Sequence, residues 1–285
     1  MLLVVFFFVG LALPFASSNY EYNYDPNSNY NHNATIEDCD GPESYQVSEN
    51  ECFCYDEPEV DIPYSICKKS VSLSDCSGVS GAPGVYSIQV DPDNSVEAAC
   101  LEGGWTVIQS RGQYGNPPDY FNKGWAEYKA GFGTPGKEHW LGLQNIFQLT
   151  NRPNVKMQLK IDMERFSGQK ATVNYDHFYL ETQTHYRLKL GKFHGDIYDS
   201  LGRHRNSEFS TKDHGTATNS HHPSVTCANR WRSGWWYTNC HHAHLNGINY
   251  GSAITISDSM SWRMFGYSIG VRESLKTITM SIKPQ

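Results

Sequence analysis

A sheet-based domain carrying a short helix and one long irregular lobe is the fold this sequence predicts, and three stretches predict it. Val155-x-Met157-x-Leu159-x-Ile161-x-Met163 alternates apolar and polar residues without a break, the period-two signature of a strand buried on one face. Phe121 to Phe132 mixes aromatic and charged residues at helical spacing, punctuated by Gly124 and Gly131, which suggests a short helix. From about Gly191 to Met264 both periods fade while Gly, His, Ser and Asn accumulate, so the chain there runs as a long irregular lobe.

Taken in order, Met1 to Ser18 is an apolar run ending in small residues. It is too short for a membrane-spanning helix and reads as a secretory signal peptide, residues 1–18. No later stretch is long and apolar enough to cross a bilayer, so the product is expected to be secreted and extracellular, with no membrane insertion. Residues 19–38 are rich in Asn and Tyr without aliphatic periodicity, the composition of a disordered tail, and Asn33-Ala34-Thr35 is an N-glycosylation acceptor. Residues 39–72 form a small leader with few large aliphatics, which needs covalent staples. Its cysteines, Cys39, Cys52, Cys54 and Cys67, allow three internal pairings or can be left for bonds between chains. The spacing of Cys52-x-Cys54 is unlike a zinc knuckle. With no Gly-X-Y repeat and no heptad, these cysteines are the visible means of making a disulfide-linked homo-oligomer.

The main domain occupies residues 73–285. Gly84 to Val90 and Trp105 to Ser110 read as strands with a turn-rich link carrying Cys100 between them, and Cys76 and Cys100 would tie these strands together. Tyr186-x-Leu188-x-Leu190 and Ile278-x-Met280-x-Ile282 repeat the period of the Val155 strand, so the last strand is expected to return to the sheet. Within the lobe, Cys227 to Gly247 brackets a Gly-Trp-Trp-Tyr core between two cysteines. Oxidised, Cys227 and Cys240 would close a loop worth roughly 3 kcal/mol on the loop-entropy model. Trp235 and Trp236 carry more apolar area than a turn needs, so they are expected to anchor the loop and leave its polar rim as the candidate site.

Eight cysteines in an exported chain point to disulfides rather than thiol chemistry. A formal charge of -7 disfavours nonspecific nucleic-acid binding, and 39% hydrophobic residues suffice for one sizeable core. Gly266-Tyr-Ser268-Ile-Gly270 matches a nucleophile-elbow pattern, yet no His follows Ser268, so no catalysis is expected. Eight of the twelve histidines lie between His194 and His244. On irregular stretches without accompanying carboxylates they read as surface residues of a polar lobe, not as metal ligands.

The chain resembles a fibrinogen-related domain over residues 73–285. The likeness rests on Gly84-Val-Tyr86, Gly103-Gly-Trp-Thr-Val-Ile-Gln109, Phe121 to Gly133, Glu138-His-Trp-Leu-Gly142, Asp199-Ser-Leu201, Phe209-Ser-Thr211 and above all Cys227 to Gly247. The resemblance implies an α+β fold in three lobes with a central antiparallel sheet, and disulfides Cys76 with Cys100 and Cys227 with Cys240. Its lectin members recognise acetyl groups on sugars, partly through a cis peptide before the second loop cysteine. Carried over by position, that element is Asn239, Cys240 and His241, with Tyr237 and Tyr250 as aromatic contacts. Apolar walls and a few fixed donors are what an acetyl group needs. Calcium-binding members read Phe-Ser-Thr-x-Asp-x-Asp-Asn-Asp, whereas here the stretch is Phe209-Ser-Thr-Lys-Asp213-His-Gly215-Thr-Ala217. With Gly215 and Ala217 in place of carboxylates, no calcium and no other cofactor are expected. Thr218 to Thr226 also looks longer than usual. Further pocket positions fall on Ile256 and Ser257, and the closing residues become Phe265 and Glu273. The function implied is a non-enzymatic, lectin-like recognition protein of innate defence that binds acetylated carbohydrates. The alternative is a signalling or venom-like module that engages a protein partner such as a cell-surface glycoprotein.

Overall fold

The computed structural model describes the strand segments 45–48, 51–53 and 66–67 together with residues 73–219, 222–265 and 273–285. They fall into two compact units, Met1–Val71 and Ser72–Gln285. The signal peptide, the Asn/Tyr-rich tail, Asn33, Cys39, Cys54 and the Ser268 motif lie outside the described residues. In the first unit β1 (Tyr45–Ser48), β2 (Glu51–Phe53) and β3 (Ile66–Cys67) pair in the order β1-β2-β3, all antiparallel, and the register sets Cys52 opposite Cys67.

The second unit is built on one antiparallel sheet. Its members are β4 (Gly84–Asp91), β5 (Asn94–Leu101), β6 (Trp105–Arg111), β7 (Phe132–Gly133), β8 (His139–Trp140), β9 (Met157–Arg165), β10 (Lys170–Tyr175), β13 (Phe193–His194) and β18 (Leu275–Pro284). The main path runs β13-β10-β9-β18-β6-β5-β4, with β7 and β8 paired beside β6. Strand β9 keeps the predicted alternation: Met157, Leu159, Ile161 and Met163 are buried and the residues between them half-buried. The last strand, β18, does return, and it inserts centrally between β9 and β6. The Tyr186 repeat becomes β12 (Arg187–Leu190), which pairs with β11 (Phe178–Glu181) in a separate two-stranded sheet.

The turn-rich link expected around Cys100 is corrected: it is the eight-residue strand β5, in ladder with β4 from Gly84↔Cys100 to Asp91↔Asn94. Its buried side chains are Ala98, Ala99 and Cys100, small residues with weak strand preference that hide a strand from a sequence reading. Cys76 joins Cys100 in a disulfide with Cα atoms 5.4 Å apart, so a short turn capped by Asp75 is fastened to that strand.

The expected short helix is α1 (Trp125–Ala130). A second, α2 (Leu143–Thr150), follows, burying Leu143, Ile146 and Leu149 at spacings of three. The two approach closely through a glycine pair. Gly131 (φ 100°) and Gly142 (φ 104°) take a backbone that side chains disfavour, and a Cβ on either would lie 2.7 Å from a carbonyl oxygen, Leu141 O or Ala130 O. Residues 195–264 are mostly irregular, with short pairs β14 (Thr218–Asn219) with β15 (His222–Thr226) and β16 (Ala243–His244) with β17 (Ser261–Trp262), and the five-residue helix α3 (Cys227–Trp231).

Candidate functional site

The candidate site is the Cys227–Gly247 loop, and its geometry begins with α3. The Thr226 hydroxyl accepts from the Asn229 N–H at 3.4 Å and starts the helix; Arg232, in the left-handed region at φ 55°, ends it. The chain then passes Gly234, where any Cβ would sit 2.5 Å from the Tyr128 ring, so glycine is what lets the following tryptophans reach the core. Trp235 exchanges both backbone hydrogen bonds with Ser210 at 3.0 Å. The Trp236 indole donates to the Tyr186 carbonyl at 2.7 Å, and its ring meets Trp140, Phe209 and Trp235 at centroid distances of 5.1–6.1 Å. Both tryptophans are fully buried, as anchors should be. Cys227 and Cys240 are bonded, Cα atoms 5.4 Å apart, and the loop tip, Thr238 and Asn239, is exposed.

The sheet clamps the far end of the loop. Arg111 on β6 is buried, its Nε donating to Glu138 Oε1 at 2.8 Å and its Nη1 to the carbonyls of Leu245 (3.1 Å) and Gly247 (2.9 Å). Gln109 Nε2, two residues earlier on the same face, donates to Leu245 O and Asn246 Oδ1, both at 3.1 Å, and Asn246 Nδ2 donates to Gly234 O at 3.0 Å. His204 adds a second tie. Its Nδ1 donates to the Trp236 carbonyl at 2.7 Å, while Nε2 accepts the N–H groups of His242 (3.0 Å) and Ala243 (3.2 Å). Sequence reasoning missed Gln109, Arg111 and His204 because their partners stand 27 to 137 positions away.

The expected site residues divide by burial. Asn239 is exposed and Tyr250 half-buried, its hydroxyl donating to Asp258 Oδ1 at 3.0 Å; burial first, then this carboxylate, raises its pKa above the usual tyrosine value. Tyr237 is 3% exposed, hydrogen-bonded through its hydroxyl to the Ser233 carbonyl (3.1 Å) and near His244 Nε2 (3.0 Å), and burial holds its proton on. Cys240 is buried in its disulfide. His241 is 2% exposed, its ring stacked on His244 at 4.4 Å and edge-on to Trp231 at 5.1 Å. Two expectations are corrected here. The Asn239–Cys240 peptide is trans, not cis. The lobe histidines are not all on the surface: His204, His241 and His244 are buried, with Nδ1 of His204 on the Trp236 carbonyl, Nδ1 of His244 on the Ser259 carbonyl, and the rings of His241 and His244 stacked on each other. Trp231, another residue missed, packs between Arg230, 5.0 Å above its ring, and His241.

The loop that resembles a calcium loop carries one carboxylate, Asp213. Its Oδ1 already accepts the Thr211 hydroxyl (2.7 Å) and the Trp125 N–H (2.9 Å). Burial disfavours its charge, but these hydrogen bonds outweigh that and hold the carboxyl below the ordinary Asp range. The Ala217 carbonyl accepts the Cys227 N–H at 2.7 Å. A hard divalent ion wants about six to eight oxygens, and this donor set does not fit one. Among the described residues no three His, Cys, Asp or Glu side chains group so as to hold a metal.

Comparison with known proteins matches residues 74–285 to the family described as fibrinogen beta and gamma chains, C-terminal globular domain. Techylectin-5A of Tachypleus tridentatus is 40% identical over 184 residues, covering 64% of this chain and 60% of its own length. Angiopoietin-related protein 6 of Homo sapiens is 40% identical over 211 residues, covering 70% of this chain and 42% of its own. This chain thus spans about half the length of these relatives. The fibrinogen-like globe domain of human ANGPTL6 superposes with a TM-score of 0.65 at 38% identity, over 75% of this chain and 96% of that one. A lamprey fibrin D-dimer, complexed with the peptide ligand Gly-His-Arg-Pro-amide, does so with a TM-score of 0.64 at 26% identity, over 75% of this chain and 74% of that one. With the sheet, both disulfides and the clamped loop in place, the chain belongs to the fibrinogen C-terminal globular domain family, an α+β family of binding proteins and not of enzymes.

Proposed function

We propose that this chain is a secreted recognition protein whose Cys227–Gly247 loop binds acetylated glycans in innate defence. The observation that carries the reading is the loop itself: a disulfide and two fully buried tryptophans hold the exposed Thr238–Asn239 tip rigid at the surface. A ligand then meets a surface that loses little freedom on binding, which favours affinity for a small group. Likeness to a techylectin supports the same reading. Secretion is supported by the two disulfides, and no helix among the described residues is long and apolar enough to cross a membrane.

A protein ligand is the second reading, and specific observations favour it. The rings of His241 and Tyr237 are packed inside, while Ile254 and Ile256 are 37% and 39% exposed in the segment where lectin relatives place pocket walls. An apolar rim suits a protein surface better than a sugar. Chromatography on immobilised N-acetylglucosamine decides between them. Retention with elution by the free sugar, weakened in an Asn239→Ala variant, is the expected result; flow-through of the folded, disulfide-intact protein overturns the glycan reading.

A further inference from the structure

We propose that the 209–217 loop is closed by a clasp made only of protein groups, in which Asp213 does the fastening that a cation would otherwise do. The loop folds back on itself through reciprocal backbone hydrogen bonds between Thr211 and His214, 2.8 and 3.2 Å long. Asp213 then reaches across 88 positions to accept the first free N–H of α1, that of Trp125, at 2.9 Å. Such an N–H has no partner within its own helix, and the residue that should cap it, Gly124, has no side chain to do so. The vacancy at Gly124 is what admits the carboxylate: a Cβ there would lie 2.7 Å from Asp213 Oδ2.

Other groups complete the clasp on both sides of Asp213. The His214 ring stacks on Trp125 with centroids 3.8 Å apart and planes 27° from parallel. Lys212 Nζ donates to the Asn122 carbonyl at 2.9 Å, and Asn229 Nδ2 donates to the Lys212 carbonyl at 3.1 Å, tying the same loop to α3. Gly215, at φ 96°, turns the chain where a Cβ would collide with the Ser210 hydroxyl at 2.5 Å, so the position that would bring a second carboxylate has no room for one in this backbone. The one carboxylate of the loop is therefore committed to α1, and the loop, with α3 and the Cys227–Cys240 segment attached to it, is held without an ion.

Because the readout is folding and not ligand capture, this inference stands or falls apart from the glycan reading. The full secreted chain is melted in millimolar CaCl2 and in EDTA, alongside Asp213→Ala, Asp213→Asn and Gly124→Ala. The wild type is expected to melt at one temperature in both solutions. Asp213→Ala, losing a cap, is expected to melt about 2–6 °C lower with or without calcium, and Gly124→Ala, which displaces the carboxylate, to fall in the same direction. Asp213→Asn keeps an acceptor oxygen without the charge and is expected to lie closer to wild type, so it carries the test if Asp213→Ala does not fold. A calcium-dependent rise in the wild-type melting temperature, or Asp213→Ala melting with the wild type, overturns the clasp.

Discussion

His139 shows how much of this protein's behaviour is decided by where one side chain ends up. It lies on β8 at 4% exposure beside the buried Arg111–Glu138 pair, and burial alone lowers its pKa from 6.5 to about 4. The folded state therefore takes up a proton less readily than the unfolded chain. Its contribution is whole above the unfolded value of 6.5 and is lost as pH falls toward 4, about 3 kcal/mol over that window. Denaturant unfolding across the window should show wild type losing more stability than His139→Leu; parallel losses would refute the assignment. Sequence reading could place such a histidine on a strand but not inside. The same holds for His204 and His244, whose partners, the Trp236 and Ser259 carbonyls, are 32 and 15 positions away. Asn239, by contrast, is exposed, and Tyr250 is half-buried with its hydroxyl on Asp258.

Among the elements, β9 and β18 were legible because a half-buried strand writes its environment into every second residue. β5 and α2 were not: one buries small side chains and the other is only eight residues long, too short for helical periodicity to stand out. β6 carries the element-scale prediction. Glu138→Gln removes the charge that pairs with Arg111 in the core, leaving a buried guanidinium whose other bonds hold Leu245 and Gly247. Breaking one side of such a pair costs about 3–5 kcal/mol. Chemical denaturation is expected to show that loss. A change below about 1 kcal/mol, the range of exposed pairs, would mean the clamp is not closed in solution.

At the scale of the whole molecule, assembly is the open property that the first unit bears on. Its cysteines, Cys39, Cys52, Cys54 and Cys67, allow internal pairings or bonds between chains. Bonds between chains through these cysteines would give a single site the added strength of multivalency. Nonreducing electrophoresis is expected to show covalent oligomers that reduction returns to monomer; monomer alone without reductant would reject the link. By itself the sequence determined the sheet-forming repeats and the family, because these are written in local periods and in short-range motifs, and the family resemblance in turn implied the pairs Cys76–Cys100 and Cys227–Cys240. Only the tertiary structure decided that the calcium-like loop ends on a helix, that the lobe is clamped by Arg111 and Gln109, and which rim residues face water. Those contacts join positions 88 to 137 apart, and burial at such range depends on how the sheet and lobe close on one another, a geometry no local pattern encodes.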